Sequence, residues 1–296
     1  MRLGTIRTEG GFRVVAVTDY GWLDAGHALH SDAGLVGNLS ELIGADDDTL
    51  QRVEAAVVSV NAHGAIPSAF LYSPDERRLA PPLPAPTHIF CVGQNYRTHV
   101  LEQGLEMPKV PEIFLRTCTT LVGPRDDIWI PVPSSQLDLE VELAVVIGKG
   151  GRHIPRDSAM EAVFGYTVFN DVSARDLQFR GTQWTPGKNC DRTAPCGPFI
   201  VTRDELPDPP VFRLGADIDG VPMQESQTGD LIFDVPSLIA DLSSFVTLCP
   251  GDLIATGTPG GVGMFRTPQR WLKVGETVRC WIEGVGELIN RVVTEP

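Results

Sequence analysis

Residues 137–147 read LDLEVELAVVI, and no other stretch limits what this chain can fold into as tightly. In an extended strand, side chains alternate between two faces. Leu137, Leu139, Val141 and Leu143 fall on one face, and Asp138, Glu140 and Glu142 on the other. The acidic face continues as Ala144 and Val146, so the carboxylates run into apolar surroundings instead of along a wet surface. Like charges about 7 Å apart on such a face repel, and a bound divalent ion is a common way to hold them ionised. The strand is therefore the expected centre of a metal site. An exposed acidic strand edge is the plainer alternative that the pattern leaves open.

Short β-type runs dominate the chain from His88 onward: HIFCVG, DIWIPV, VFGYTVFN, PFIVT, FRLGADIDG, DLIATG and ETVRCWIEG. Gly, Pro and Asp clusters separate them, which argues for a large, mostly β domain and against a βαβ repeat. Helical stretches are expected near 96–104 and 236–245. Ahead of this domain, residues 1–18 read as a hairpin turning at Glu9, Gly10 and Gly11. A helix follows from Asp48, with Leu50, Val53, Val57 and Val60 on one side, acids at 46–48 at its start and Gly64 as its stop. The prolines of SPDERRLAPPLPAP stiffen the next segment and discourage helix and sheet alike. The expected fold is mainly β with α+β elements: a small αβ N-terminal domain over 1–78, a Pro-rich linker over 79–87, and the large domain over 88–296.

With 296 residues, 42% of them hydrophobic, the chain can bury a large core. Its net charge of -14 opposes binding to nucleic acid or to an anionic membrane and favours a small-molecule partner. An anionic substrate would have to be drawn in by local cations or by a metal. The six cysteines form no CxxC pair and read as reduced thiols that pack the core. The opening residues lack the apolar run of a signal peptide and no later run approaches a membrane span, so the expected compartment is the cytoplasm.

A further acid, Asp171, stands directly after the apolar run VFGYTVFN. With Glu140 and Glu142 it would supply three oxygen donors, a set suited to a hard ion such as Mg²⁺, Mn²⁺ or Ca²⁺ and unlike the His and Cys preferred by zinc. Arg175, Gln178 and Lys188 follow in SARDLQFRGTQWTPGKNCD. They can anchor an acid substrate, or they can simply neutralise the acids. In GQNYRTHVLEQG, His99 and Glu102 share a helix face, so the carboxylate can orient the imidazole. The Gly-rich segment ATGTPGGVG offers backbone N–H groups and the Thr256 and Thr258 hydroxyls to an anion, but lacks the GK[ST] of a P-loop.

In order along the chain, GQNYRTHVLE, DLEVELAVVIGK, GYTVFNDVSARDLQ, QWTPGKNCD and PGDLIATGTPGGVG resemble the fumarylacetoacetate hydrolase family over roughly residues 88–293. The resemblance implies a mixed β-sandwich or roll, a homodimer, a divalent metal, usually Mg²⁺ or Mn²⁺, and action on 2-oxo acids or 1,3-dicarbonyl compounds. It implies Glu140, Glu142 and Asp171 as metal ligands, His99 with Glu102 as a water-activating pair on a lid, and Arg175, Gln178, Lys188 and Thr258 as substrate or oxyanion contacts. Arg116, where relatives usually carry Lys, Gln94, where many have Leu, and Cys190, where an aromatic is common, depart from the family pattern and bear on substrate identity.

These features lead to an expected enzyme that hydrolyses a carbon–carbon bond in an acylpyruvate-like or β-diketo acid. His99 would activate the water, and Lys188 with Gln178 would stabilise the oxyanion. Two alternatives use the same enolate without hydrolysis: decarboxylation of an oxaloacetate-type acid, and isomerisation of an unsaturated 2-oxo diacid. A protein with a structural Ca²⁺ and no catalysis is the rival of a different class.

Overall fold

The computed structural model describes residues 1–29, 38–64, 70–207 and 210–296. The strand Val141–Ile147 lies inside the largest sheet, and all seven of its residues are buried. Alternation explains why both faces are apolar. Val141, Leu143, Val145 and Ile147 enter a core shared with Leu214, Ala216, Val278, Cys280 and Leu288. Ala144 and Val146 enter a second core with Leu3, Val14, Ile89, Leu39, Leu42 and Val53. A strand covered on both sides is necessarily a continuous apolar run rather than an alternating one.

The main sheet has eleven strands. From one edge to the other run Leu71–Tyr72, Gly21–Asp24, Gly11–Thr18, Arg2–Thr8, Ala194–Thr202, Val163–Asn170, Val141–Ile147, Leu253–Ala255, Ile89–Gly93 and Glu112–Leu115, with Leu121–Val122 pairing off this path against Ala194–Thr202. The sheet is mixed: Leu253–Ala255 runs antiparallel to Val141–Ile147 and parallel to Ile89–Gly93. Five strands form the second sheet: Val221–Gln227, Arg213–Ile218, Thr277–Ile282, Gly286–Thr294 and Ile128–Ile130. It packs its inner face onto the first of the two cores, which makes the architecture a mainly β sandwich with mixed strands and few helices.

The N-terminal residues form the expected hairpin and helix. Thr8 pairs with Gly11, so Glu9 and Gly10 alone make the turn and Gly11 belongs to the second strand. The helix is Asp47–His63; Asp46 caps it by accepting from Thr49 N at 2.9 Å, and Gly64 ends it at φ 62°. Strand Arg2–Thr8 pairs antiparallel with Ala194–Thr202, so residues on both sides of the Pro-rich segment share one sheet. Within that segment Leu79, Ala80 and Leu83 are buried. The two helices expected later in the chain are Arg97–Glu102 and Val235–Phe245, the second capped by Asp234, and short helices Arg175–Gln178 and Thr185–Lys188 lie between them. No helix among the described residues is long and apolar enough to cross a membrane.

Candidate active site

The run of acids does not stay in one strand. Leu137–Asp138 pairs with Ser173–Ala174 in a separate two-stranded sheet, and pairing in the main sheet resumes at Val141, opposite Asn170. The break at Leu139 and Glu140 is held by Glu140 N donating to Asn170 Oδ1 (3.0 Å) and Asp171 N donating to Glu140 O (2.9 Å). It separates the three acids that a continuous strand would align. Glu140 and Glu142 converge with Asp171 so that ligand atoms of all three lie within 4.8 Å of one another, every one of the residues buried. Asp138 turns away to Arg175, at 3.0 Å from Nε and 2.9 Å from Nη2.

Three cations surround this cluster. Lys188 Nζ lies 2.7 Å from Glu140 Oε2 and 2.6 Å from Asp171 Oδ2. Arg175 Nη2 lies 2.6 Å from Glu140 Oε1, and its Nη1 donates to Gln178 Oε1 at 3.0 Å. Arg116 Nη1 sits 3.2 Å from Asp171 Oδ1. That contact is an ion pair without hydrogen-bond alignment, because the guanidinium is already spent on the carbonyls of Val172, Lys188 and Thr193. Asp171 Oδ1 is thus buried with no hydrogen bond. Four carboxyl groups, counting Asp138, face three cations, so one acid has no cation to pair with among these side chains.

The charges of the glutamates split accordingly. Burial pushes Glu142 well above the usual carboxyl range, and the Asp171 and Glu140 carboxylates push it further. Burial also works against the Glu140 carboxylate, but Lys188 and Arg175 outweigh it and hold Glu140 at about 2. Lys188 is raised despite its burial by Asp171 and Glu140, so it stays an ammonium. A triad of hard oxygen donors, one carboxyl raised by burial and by its charged neighbours and another with one oxygen left without a hydrogen bond, fits a divalent ion better than it fits a closed salt-bridge network.

A small cleft of about 50 Å³ opens onto the cluster. Eight of the nine residues singled out in the sequence line it: His99, Glu140, Glu142, Asp171, Arg175, Gln178, Lys188 and Thr258. The ninth, Glu102, stands behind His99, 2.6 Å from its Nδ1, while its other oxygen accepts from Gly261 N at 2.7 Å. His99 therefore has one ring nitrogen committed to a carboxylate and the other free of it.

The Gly-rich segment does not use its amides as an open anion cradle. Gly257 N donates to Glu142 Oε2 at 2.8 Å, Gly261 N to Glu102, and Gly263 N and Met264 N to Asp138 at 2.8 and 3.0 Å. Its anions are the protein's own carboxylates. Glycine is required at 257 and 261, where φ is 104° and 102° and a Cβ would meet Asn95 Cβ at 2.9 Å and Met223 O at 2.3 Å, respectively. The Thr256 and Thr258 hydroxyls donate to the carbonyls of Leu143 and Val141, both at 3.0 Å.

Several supporting residues carry no local sequence signal for their role. Arg116 ties Lys188 to Thr193 and Val172, and Gln224 joins Val141 N to Thr258 and Pro259 O. Both act across long stretches of chain, which spacing cannot reveal. Trp184 and Phe114, edge to face at 5.5 Å, form an aromatic side of the cleft, with Lys188 Nζ 5.1 Å from the Phe114 ring centroid. Trp184 sits inside the QWTPGKNCD motif, four residues before Lys188, which is the one available hint.

Residues 88–293 match the family model described as fumarylacetoacetate (FAA) hydrolase C-terminal. The mitochondrial oxaloacetate tautomerase Fahd2a of Rattus norvegicus is 47% identical over 213 residues, covering 72% of this chain and 68% of that protein. The oxaloacetate tautomerase YisK of Bacillus subtilis (strain 168) is 41% identical over 228 residues, 76% of each chain. Among solved structures, maleylpyruvate hydrolase from Sphingobium sp. SYK-6 in complex with manganese (II) ion and pyruvate matches with a TM-score of 0.77 at 31% identity, covering 100% of both chains.

Proposed function

The chain belongs to the fumarylacetoacetate hydrolase family, and from that premise we propose that it is a divalent-metal-dependent isomerase of short 2-oxo diacids, interconverting the enol and keto forms of an oxaloacetate-like acid. The observation that carries this reading is the single cleft that joins a carboxylate triad, two cations and a carboxylate-oriented histidine. Of the reactions left open by the sequence, isomerisation takes precedence over carbon–carbon hydrolysis. Two relatives above 40% identity bear the name oxaloacetate tautomerase, whereas the hydrolase named above is 31% identical.

Glu140, Glu142 and Asp171 are the residues that would hold the dication, Mg²⁺ or Mn²⁺, and when bound it supplies positive charge that stabilises the enolate of a 2-oxo acid. His99 donates Nδ1–H to Glu102, which leaves the Nε2 lone pair as the base that removes, and in the reverse sense returns, the proton at the carbon next to the keto group. Lys188 uses two of its three N–H donors on Glu140 and Asp171. Its third is available to the oxygen that alternates between carbonyl and enol. Gln178 is fixed through its Oε1 by Arg175, which presents the amide nitrogen to the substrate carboxylate.

The test is the decay of enol absorbance of oxaloacetate with each metal, followed by product mass. Unchanged mass supports isomerisation; carbon dioxide, or two carbon fragments from an acylpyruvate, produced faster than the enol signal relaxes, would overturn it. His99→Ala should lower turnover by about 10²–10⁴-fold and leave metal affinity as it was. Unaltered turnover in that variant removes His99 from the mechanism.

A further inference from the structure

Among the described residues, Gln94 is the one non-glycine residue of the cleft wall held in the left-handed region, at φ 55°. Glycine would adopt that conformation without strain. Neighbouring contacts leave it no escape. The Asn95 side chain donates to Phe233 O (3.0 Å) and Thr256 O (2.8 Å) and accepts from Phe233 N (2.8 Å), which locks the turn between the Gly-rich segment and the chain ahead of helix Val235–Phe245. A strained, locked residue whose side chain lines a cleft is a functional candidate on its own observation.

The Gln94 amide is also loosely held. Its hydrogen bond is to Gln103 Oε1 at 3.5 Å, the outer limit of such contacts, while Gln103 itself reaches back to His99 O at 3.2 Å. The donors at the acid cluster serve the near end of the substrate: Arg175 and Lys188 pair with Asp138, Glu140 and Asp171, and the Gln178 amide nitrogen, oriented through Arg175, stands beside them. Phe114, Phe179 and Phe265 complete much of the wall and offer an anion nothing. A substrate held by its 2-oxo acid end at the cluster therefore finds in Gln94 a neutral donor ready to exchange a poor partner for a better one.

We propose that Gln94 is a specificity-determining residue that reads the second carboxylate of the substrate, so that the cleft favours 2-oxo diacids over 2-oxo monoacids of the same length. The proposal rests on the isomerase reading for the identity of the substrate and adds to it the group that recognises the far end. A hydrogen bond from a neutral amide to a buried carboxylate corresponds to about tenfold or more in affinity.

The experiment compares the metal-loaded wild type with Gln94→Leu, which keeps the wall and removes the donor, and with Gln94→Gly, which removes the donor and relieves the backbone. Affinities for oxaloacetate, for 2-oxobutanoate and for oxalate are read by calorimetry, with KM and kcat for oxaloacetate alongside. Both variants should bind oxaloacetate about tenfold or more weakly, with KM rising in step and kcat within about threefold, while 2-oxobutanoate and oxalate bind as before. Gln94→Gly should keep or raise the melting temperature, so the loss cannot be assigned to misfolding. Oxaloacetate affinity within twofold of wild type in Gln94→Gly overturns the proposal, as does a parallel loss for oxalate, which would place Gln94 at the cluster end. Because affinity is read separately from rate, a wild type that binds oxaloacetate but does not isomerise it sinks the isomerase reading and leaves this comparison standing.

Discussion

Among the described residues, two places bring metal-ligating side chains together, and they differ in how well those side chains are satisfied. At one, Glu140, Glu142 and Asp171 converge from the break before strand Val141–Ile147 and the end of its neighbour. At the other, His88, Cys249 and Asp252 meet where the parallel strands Ile89–Gly93 and Leu253–Ala255 begin. Asp252 is fully buried, yet it accepts from His88 N at 3.0 Å, from Cys249 N at 2.7 Å and contacts His88 Nδ1 at 3.0 Å. It is one acid with a full set of partners. The first cluster has three acids, an orphaned oxygen and a glutamate driven toward protonation. Proximity of ligand atoms is common to both; unrelieved charge belongs to one. Residual electrostatic frustration, together with an all-oxygen donor set, sets the proposed ion site apart from a brace that ties two strand ends.

Breaking the first cluster should have the largest effect. Glu142→Gln keeps an acceptor for Gly257 N and removes the repelled charge, so the metal-free protein should melt no lower than wild type while ion affinity falls at least about 100-fold by calorimetry. Equal affinity would erase the distinction between the clusters. At the second cluster, Asp252→Ala strands two backbone N–H groups and should lower stability by about 1–3 kcal/mol in denaturant unfolding, with metal stoichiometry still one per chain.

The contrast also has a pH signature. Because Glu142 is raised above its ordinary value of 4.5, metal binding must displace its proton, and affinity should climb with pH by up to about tenfold per unit until that group ionises. The same shift fixes the sign for the metal-free fold. A raised carboxyl adds stability that is complete below its unfolded value and is lost as pH rises through the folded one, so the chelated protein should melt progressively lower on going from acid toward neutral pH. Glu140, held at about 2, contributes in the opposite sense only in more acidic solution, where its stabilisation fades as pH falls from 4.5 toward 2. Metal-loaded protein should not follow the first trend; if it does, Glu142 is not a ligand. The smallest effect is reserved for Cys249→Ala, whose Sγ reaches Thr247 O only at 4.0 Å: stability within about 0.5 kcal/mol and metal content unchanged.

Much of the site was legible because its residues come in short motifs whose local geometry is set by a few neighbours. Strand alternation marked Glu142, Ala144 and Val146 as one face, and the helical spacing of His99 and Glu102 put them in contact at 2.6 Å. Asp171 followed from its place at the end of an apolar run. The same alternation misplaced Asp138, since a strand that changes partners at Leu139 and Glu140 breaks its own periodicity. The anion-binding look of the Gly-rich segment was sound chemistry directed at the wrong anions.

What the order of residues determined by itself is therefore the set of groups and their nearest neighbours: which side chains are acidic, which share a face, where the chain must turn. Only the tertiary structure decided how charge is shared among them. Arg116 meets Asp171 from 55 positions away, Gln224 braces Val141 from 83, and the amides of residues 257–264 reach back to Glu102, Asp138 and one oxygen of Glu142. Periodicity is a property of one segment, whereas electrostatic balance in a buried site is a sum over every segment that reaches it, and that sum exists only once the chain has folded.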